Sequence, residues 1–472
     1  MAKKIPEKWM VVIAVLLGTF TIILNNSMLN PAIPELMAIF DTDAVSIGWV
    51  ITIFMVSMGI TMPLTGYLGD KIGKKKLYMI GLVLFLIGSV LASMAWSLTS
   101  LILFRAIQGI AGGVMMPLSM ALIFEVFPRE ERGLATGVWG IAAMMAPTIG
   151  PTLGGTIVET SSWHYLFLFN IPFGLLGLAA SAYYLKSTEK VKDIKFDKIG
   201  FLLVTLGVGA VLFALGRISR VEHLANPVNI GLIIFGLAGI YAFVKYENRQ
   251  SQPLLELSVF KAPAFSIAVW IASVTSIGLF SSIFLIPLLI QNVYGLSAII
   301  TGLVFLPSAL FSGIFMTVGG RLLDKNGPRG VVTTGLVIFA ATTLALGFLN
   351  LETSLWYILV VMLIRGIGMG LCNMPATTTG LNAIPDRLVA QGSAMNNVLR
   401  QISSSLGIVF ISVYYEVRRA QLLGMGVSGT EGSLQAINEG FLVVGVLLAL
   451  SIPAGWLIGQ DEKREEAELN PQ

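Results

Sequence analysis

Charged residues are scarce in this chain of 472 residues, because Asp, Glu, Lys and Arg together make up only 12% of it. A soluble protein carries about 25% charged residues, and half that density cannot cover a water-facing surface of this size. Cysteine occurs once, at Cys372, which excludes an intrachain disulfide. The two histidines have no cysteines or carboxylates clustered around them, so we expect no metal site.

The sequence contains long stretches without charged residues. The segment 262–320 contains no Asp, Glu, Lys or Arg, and 55% of all residues are hydrophobic. A bilayer-crossing helix needs roughly 20 apolar residues, and the alternation typical of outer-membrane barrel strands is absent. The sequence therefore predicts an all-α polytopic membrane protein with fourteen transmembrane helices, near residues 10–30, 47–68, 77–97, 101–122, 134–157, 164–185, 199–217, 228–246, 264–288, 299–320, 330–350, 356–379, 391–415 and 438–458.

The basic residues predict the orientation of these helices. With a cytoplasmic N-terminus, 23 of the 30 Lys and Arg residues fall on the cytoplasmic side and four fall outside. The remaining three, Arg105, Arg365 and Arg400, lie inside predicted helices. This bias predicts a multi-pass protein with both termini in the cytoplasm. The net charge of +4 thus follows from topology and gives no reason to expect nucleic-acid binding.

A charged turn is written twice, half a chain apart. "GYLGDKIGKKK" at 66–76 returns as "GRLLDKNGPRG" at 320–330, a shift of 254 residues. "RAIQGIAGG" at 105–113 is likewise echoed by "RGIGMG" at 365–370. Repeated halves with the substrate site between them are common in secondary transporters. We expect an N-terminal six-helix half, an inserted two-helix hairpin and a C-terminal six-helix half with a cytoplasmic tail, at 1–198, 199–250 and 251–472.

Neither nucleotide hydrolysis nor intramembrane enzyme chemistry is expected. No segment matches the phosphate-binding pattern G-x-x-x-x-G-K-[ST], and no soluble domain is long enough to hydrolyse ATP. An enzyme needs acids, bases or metal ligands that converge, whereas the acids and the two histidines are scattered here. Energy must therefore come from an ion gradient or from the substrate's own gradient, and no cofactor is expected.

Four motifs give the chain a family resemblance: the turn at 66–76, "RAIQG" at 105–109, "APTIGPTLGG" at 146–155 and "WHYLFLFNIPFG" at 163–174. With them the chain resembles the major facilitator superfamily, and within it the fourteen-helix drug/proton antiporters of Gram-positive bacteria. The resemblance implies a monomer in the bacterial cell (inner) membrane that exports amphiphilic or cationic drugs by proton antiport and alternating access. Its partners would be these compounds, protons and membrane lipids. The alternative is a dedicated exporter or flippase of a lipid-like metabolite, without obligatory proton coupling.

The resemblance also assigns candidate residues. Arg105 is implied in proton coupling, but many relatives carry an acid where this chain has Asn25, and an amide cannot carry a proton at physiological pH. Glu125, Asp70 and Asp324 are therefore the candidates for proton coupling and gating, although Glu125 could equally pair with Arg129 or Arg132. The resemblance implies that helix five lines the interface that slides during alternating access, with Gly150, Pro151, Gly154 and Gly155 at that interface. The polar positions expected to line the substrate cavity are Asn25, Asn26, Asn30, Gln108, Asn373, Asn396, Asn397, Arg400 and Gln401.

Overall fold

The computed structural model describes residues 6–29, 32–42, 44–187, 191, 195–218, 221–250 and 253–459. Helices account for most of this part of the chain. In order they are α1 (Glu7–Met28), α2 (Ile33–Ile39), α3 (Ala44–Thr61), α4 (Leu64–Ile72), α5 (Lys74–Ser93), α6 (Leu98–Val126), α7 (Arg132–Thr160), α8 (His164–Leu168), α9 (Asn170–Tyr184), α10 (Lys198–Arg217), α11 (Val221–Leu224), α12 (Pro227–Glu247), α13 (Pro263–Pro287), α14 (Ala298–Asn326), α15 (Pro328–Ala345), α16 (Leu355–Asn382), α17 (Val389–Gly424), α18 (Gly429–Leu450) and α19 (Ile452–Leu457).

The prediction of a helical membrane protein is confirmed, but the count of fourteen spans is confirmed only in part. Among the described residues, twelve helices are long and apolar enough to cross a membrane, or up to thirteen if the bent pair α3–α4 forms one span. The predicted span outside this set is α7, which has 29 residues and a glycine-rich sequence. Since α7 packs against α1 and α14, close approach of backbones replaces bulky apolar side chains there.

Several predicted boundaries need correction. The single helix expected at 47–68 is broken between α3 and α4 at Pro63, with a bend of 59°, because proline cannot donate the backbone hydrogen bond that a continuous helix requires. The helix expected at 164–185 is found as one span, His164–Tyr184, in which Phe169 separates α8 from α9 and keeps helical backbone angles. The helix expected to end at 288 continues as a π-helical turn, Leu288–Val293.

The repeated charged turn is a helix-to-helix joint in both places. Gly73 ends α4 and begins α5 with φ of 91°, and Gly327 joins α14 to α15 with φ of 75°. Residues with a side chain rarely adopt such positive φ values, so glycine is needed at both joints. The 254-residue repeat of the sequence is thus a repeat of backbone conformation.

For description, we call residues 6–187 the first half, residues 253–459 the second half, and α10 with α12 the inserted pair, following the predicted division. The halves meet where α7 packs on α14 and α16, and where α17 packs on α3, α4 and α6. In the inserted pair, α10 contacts α3 of the first half and α17 of the second. We call the end of the bundle where α1 begins, α6 ends and α7 begins the terminal face, and the other end the opposite face.

Candidate functional site

Arg105 of α6 is fully buried in the first half and is bonded by oxygens of neutral groups. Its Nε donates to the Val50 carbonyl at 3.0 Å, and its Nη1 donates to Asn25 Oδ1 at 2.6 Å and Gln108 Oε1 at 3.0 Å. Its Nη2 donates to Asn26 Oδ1 at 3.0 Å. The guanidinium therefore joins α1, α3 and α6 into one polar cluster, which we call the arginine cluster.

Further contacts around Arg105 stabilise its buried charge. The guanidinium lies 4.2 Å from the centre of the Phe54 ring, a cation–π contact. Gln108 extends the hydrogen-bond network to α5, since its Nε2 donates to Ser89 Oγ at 2.8 Å. Asn25 is buried, and its Nδ2 has no hydrogen-bond partner among the described residues. Of the predicted cavity residues, Asn25, Asn26 and Gln108 thus meet at Arg105, while Asn30 lies outside the described residues.

Arg365 of α16 occupies the corresponding place in the second half. It is 1% exposed, and its Nη2 donates to the Gly278 carbonyl at 3.0 Å and to Ser282 Oγ at 2.6 Å. Its guanidinium lies 4.7 Å from the Phe339 ring centre. The six salt bridges among the described residues include neither Arg105 nor Arg365. Each half therefore buries one arginine whose hydrogen-bond partners among the described residues are uncharged.

The polar residues predicted on helix thirteen lie on α17. Arg400 is half-buried and donates to Asn397 Oδ1 at 2.8 Å. Gln401 crosses between the halves, since its Nε2 donates to the Met55 carbonyl of α3 at 2.7 Å. Asn396 is 5% exposed, and its Oδ1 is unpartnered among the described residues. The exposed side of α17 carries Leu406, Phe410 and Val417, so the polar residues do not share the lipid-facing side. Asn373 lies apart from them on α16, within 3.4 Å of Thr275 Oγ1.

A second group of polar contacts joins the halves at the terminal face, and we call it the latch. Asp324, at the end of α14, accepts hydrogen bonds from the backbone N–H groups of Gly133 and Leu134, both at 2.8 Å. These groups belong to the first turn of α7, where the helix dipole favours a negative charge. Thr136 and Thr378 lie 2.7 Å apart through their hydroxyl oxygens.

Arg132 completes the latch and is 3% exposed. It donates to the Phe124 and Phe127 carbonyls of its own half. Across the interface it donates to Asn382 Oδ1 at 3.2 Å and Asp386 Oδ1 at 3.1 Å. Among the described residues, the hydrogen bonds between the two halves are those of the latch together with the one from Gln401.

The other two predicted acids also lie at the terminal face. Glu125 forms a salt bridge with Lys74 at 2.5 Å, so its described ion-pair partner is neither Arg129 nor Arg132. It lines a pocket of about 460 Å³ together with Lys74, Arg132, Asp386 and Arg387. Asp70 lies in the last turn of α4, which packs against α17, and a side chain at Gly66 would overlap Gln391.

The predicted helix-five residues lie on α7 where it crosses α1. A methyl group at Gly150 would overlap Ser27, and one at Gly154 would overlap the carbonyl of Met28. Pro151 and Gly155 lie in the same helical segment. Near the terminal face the close partner of α7 becomes α14, since a methyl group at Gly320 would overlap the Gly133 carbonyl. The glycines of α7 therefore permit contact with both halves.

Sequence reasoning missed Arg132, Thr136, Thr378 and Asp386 as cross-half contacts. One available signal was the position of Arg132 and Asp386, which lie 254 residues apart, the period of the repeated turn. The pair Thr136–Thr378 carries no comparable signal, because buried threonines at helix seams are ordinary in membrane proteins.

Comparisons with known proteins agree with this architecture. Residues 15–408 match the family model of the Major Facilitator Superfamily. A lincomycin resistance protein of Listeria monocytogenes is 28% identical over 93% of this chain and 94% of its own length. A probable multidrug resistance protein of Escherichia coli is 31% identical over 84% of this chain and 78% of its own length. The fold matches the crystal structure of a human organic anion transporter with a TM-score of 0.67 and 16% identity, over 94% of this chain and 100% of that one.

The chain belongs to the major facilitator superfamily. It is a membrane transporter rather than an enzyme, and its relatives include proteins named for lincomycin and multidrug resistance. The family prediction made from the motifs is therefore confirmed.

Proposed function

We propose that this protein exports amphiphilic small molecules, drugs among them, by proton antiport through alternating access. The observation that carries the proposal is the latch. Its contacts between α7, α14 and α16 lie at the terminal face, so they would hold that face closed while cargo leaves at the other. Breaking them would let the halves open toward the terminal face, which we place in the cytoplasm of a bacterial cell because basic residues concentrate there.

The cargo would bind between the halves against α17 and the arginine cluster. The groups available there are amides and arginines, with Asn373, Asn396, Asn397, Arg400 and Gln401 on the second half. Amides both donate and accept hydrogen bonds and therefore tolerate varied polar groups on an apolar compound. This composition supports an amphiphilic cargo better than a dication, which would call for carboxylates.

The coupling proton would be carried by carboxylates of the terminal face, since Asn25 cannot carry it. Asp324 is suited to this role because its charge stabilises the N-terminus of α7 across the interface. Protonation would remove that charge and weaken the latch. Glu125 would act through Lys74 and the pocket that it shares with Arg132, and Asp70 would act where α4 meets α17.

Purified protein in liposomes that enclose a pH-sensitive dye tests this proposal. Lincosamides and lipophilic amphiphiles would be added under an imposed pH gradient, to wild type, Glu125→Gln and Asp324→Asn. Glu352→Gln, at an exposed position of the opposite face, is the matched control. We expect drug-dependent proton movement in wild type and control and a loss of at least tenfold in the other two variants.

Drug transport without any proton movement would contradict proton antiport. The absence of drug transport would favour the alternative, an exporter of a lipid-like metabolite without proton coupling. The observation that favours this alternative is that Asn25 stands where many relatives carry an acid. Fluorescent lipid analogues in the same liposomes separate the two functions, because only the alternative predicts that they move while drugs do not.

A further inference from the structure

Two carboxyl groups, one buried and one half-buried, meet at the base of the inserted pair. Glu247 is the last residue of α12 and is 2% exposed. Its Oε1 accepts from the Leu255 N–H at 2.7 Å, while its Oε2 has no partner among the described residues. Asp197 caps the N-terminus of α10, and its Oδ1 accepts from the Gly200 N–H at 2.9 Å. Its Oδ2 is buried and equally unpartnered within the described part of the chain.

The two unpartnered oxygens face each other above Gly200. A methyl group at Gly200 would overlap Asp197 Oδ2 and lie 2.7 Å from Glu247 Oε2. The two carboxyl groups are therefore neighbours, and a proton on Glu247 would let it donate a hydrogen bond to Asp197. Glycine at this position leaves the room that the shared hydrogen bond needs.

The surroundings of the pair supply donors but, among the described salt bridges, no cation. From α12, the Tyr246 hydroxyl donates to Asp197 Oδ1 at 3.3 Å. The other charged groups of the elements that meet here are Lys195 and Lys198 beside Asp197, Lys245 of α12, and Glu256 of the linker. Glu256 stays ionised, because its hydrogen bond to Arg387 holds the pKa of that carboxyl below its ordinary value.

Glu247 is buried and its carboxyl group lies beside that of Asp197, so desolvation and mutual repulsion oppose a second negative charge at the pair. We propose that Asp197 and Glu247 form a proton-binding site, which holds one shared proton and closes a clasp between the two halves of the transporter. The clasp consists of residues 195–197, residues 253–256 and this carboxyl pair.

Each side of the clasp is attached to a different half. On one side, Phe196 packs on Tyr67 of α4 with ring centres 5.0 Å apart. On the other, the Glu256 N–H donates to Gln391 Oε1 of α17 at 2.8 Å, and Arg387 donates to Glu256 Oε2 at 2.8 Å. The shared proton thus connects the segment on α4 to the segment on α17. This gives the inserted pair a role, since its two ends form the clasp.

The direction of the pH effect follows from proton counting. The closed clasp binds one more proton than an open one, in which the carboxyl groups are apart and hydrated. The closed state is therefore favoured at low pH and loses its advantage as pH on the terminal side rises through the titration of the pair. Each pH unit changes the ratio of protonated to deprotonated pairs by about tenfold. This site does not depend on the cargo or on proton antiport, so it stands or falls separately from the proposed function.

Difference infrared spectroscopy of the full-length protein in lipid tests whether the proton is there. We expect a carbonyl stretch of a protonated carboxyl at neutral pH in wild type, lost at high pH. The band should be absent from Glu247→Gln and from Asp197→Asn, and unchanged in Glu352→Gln. A wild type without the band, or variants that retain it, would overturn the proposal. So would loss of the band on adding Na⁺ at constant pH, since the site would then bind a cation.

Spin labels on Lys76→Cys and Lys261→Cys, at exposed positions of the two halves, test whether the proton closes the clasp. We expect the label distance in wild type background to lengthen as pH rises. The Glu247→Gln variant should stay at the short distance throughout, because a glutamine amide can donate to Asp197 as the protonated acid does. Asp197→Asn provides the same test if the first variant folds poorly. A distance that is pH-independent in wild type, or that changes equally in the variants, contradicts the clasp.

Discussion

Arg105 keeps its charge inside the first half through neutral oxygens. An arginine does not give up its proton in a protein, and a charge in the membrane interior is costly unless it is solvated. The Val50 carbonyl, the Asn25, Asn26 and Gln108 amides and the Phe54 ring supply that solvation. Asn25 in place of an acid therefore leaves the arginine bonded but uncompensated in charge.

We predict that Arg105→Gln destabilises the protein strongly. The change removes hydrogen bonds to α1 and α3 and leaves the Val50 carbonyl without its side-chain donor. Hydrogen bonds of charged groups contribute about 1.5–3 kcal/mol each, so we expect a loss of about 3 kcal/mol, measured by thermal unfolding in detergent. Arg365→Gln is the matched comparison, since it loses bonds to only two described acceptors. A larger loss for Arg365→Gln than for Arg105→Gln would contradict this account.

The arginine cluster shows which contacts of a single side chain can be predicted from the sequence. A lone arginine in an apolar helix must find polar partners, so its burial beside Asn25 and Gln108 follows from composition. The Asp197–Glu247 pair could not be foreseen, because each acid lies at a predicted helix end, where acids are ordinary. Only the fold brings together two ends that lie 50 residues apart in sequence.

At the scale of helices, the close crossing of α7 and α14 depends on two glycines that face each other. We predict that Gly320→Ala separates these helices at the terminal face, since the new methyl group would overlap the Gly133 carbonyl. Backbone atoms cannot turn aside as a flexible side chain can, so the closed latch should be destabilised. Gly302→Ala is the control, because it lies in the same helix with no atom within 4 Å of the added methyl group.

Accessibility of a cysteine placed at Thr378 measures the opening. We expect Thr378→Cys to react with a water-soluble thiol reagent faster in the Gly320→Ala background than in the Gly302→Ala background. Equal rates would mean that the glycine contact does not hold the halves together. Cys372 is itself buried and would be replaced by alanine in each protein.

Asp324 contributes to the same crossing through charge. We predict that Asp324→Asn weakens the closed latch by at least about 1 kcal/mol, because the amide keeps only one acceptor oxygen for the N–H groups of Gly133 and Leu134 and carries no charge to complement the helix dipole. The same thiol-accessibility measurement detects the change as a roughly fivefold faster reaction. An unchanged rate would show that neither the charge of Asp324 nor its second hydrogen bond holds α7 in place.

Helix existence and the repeated joint were predictable, whereas helix breaks and the span count were only partly so. Uncharged runs specify where a chain can cross a membrane, and glycine in the turn specifies where it can reverse, as at Gly73 and Gly327. The bend at Pro63 has a sequence signal that was overlooked. The glycines of α7 are visible in the sequence, but the close packing against α1 and α14 that they permit is a property of the folded bundle.

For the whole molecule, alternating access requires that the two halves separate at the terminal face during each cycle. We predict that a protein with Thr136→Cys, Thr378→Cys and Cys372→Ala stops transporting when its two introduced thiols are linked. The wild-type hydroxyl oxygens lie 2.7 Å apart across the interface, so oxidation or a short bifunctional reagent should link the new side chains. Reduction should restore the activity, which excludes damage to the fold as the cause.

The single variant Thr136→Cys, treated in the same way, controls for modification of one thiol. Drug efflux from liposomes gives the rate, and gel mobility after proteolysis between the halves gives the linked fraction. We expect the lost fraction of activity to equal the linked fraction, because one bond across the latch holds α7 against α16. Full transport by fully linked protein would mean that cargo passes without opening of the terminal face, and the latch would then be a static contact rather than a gate.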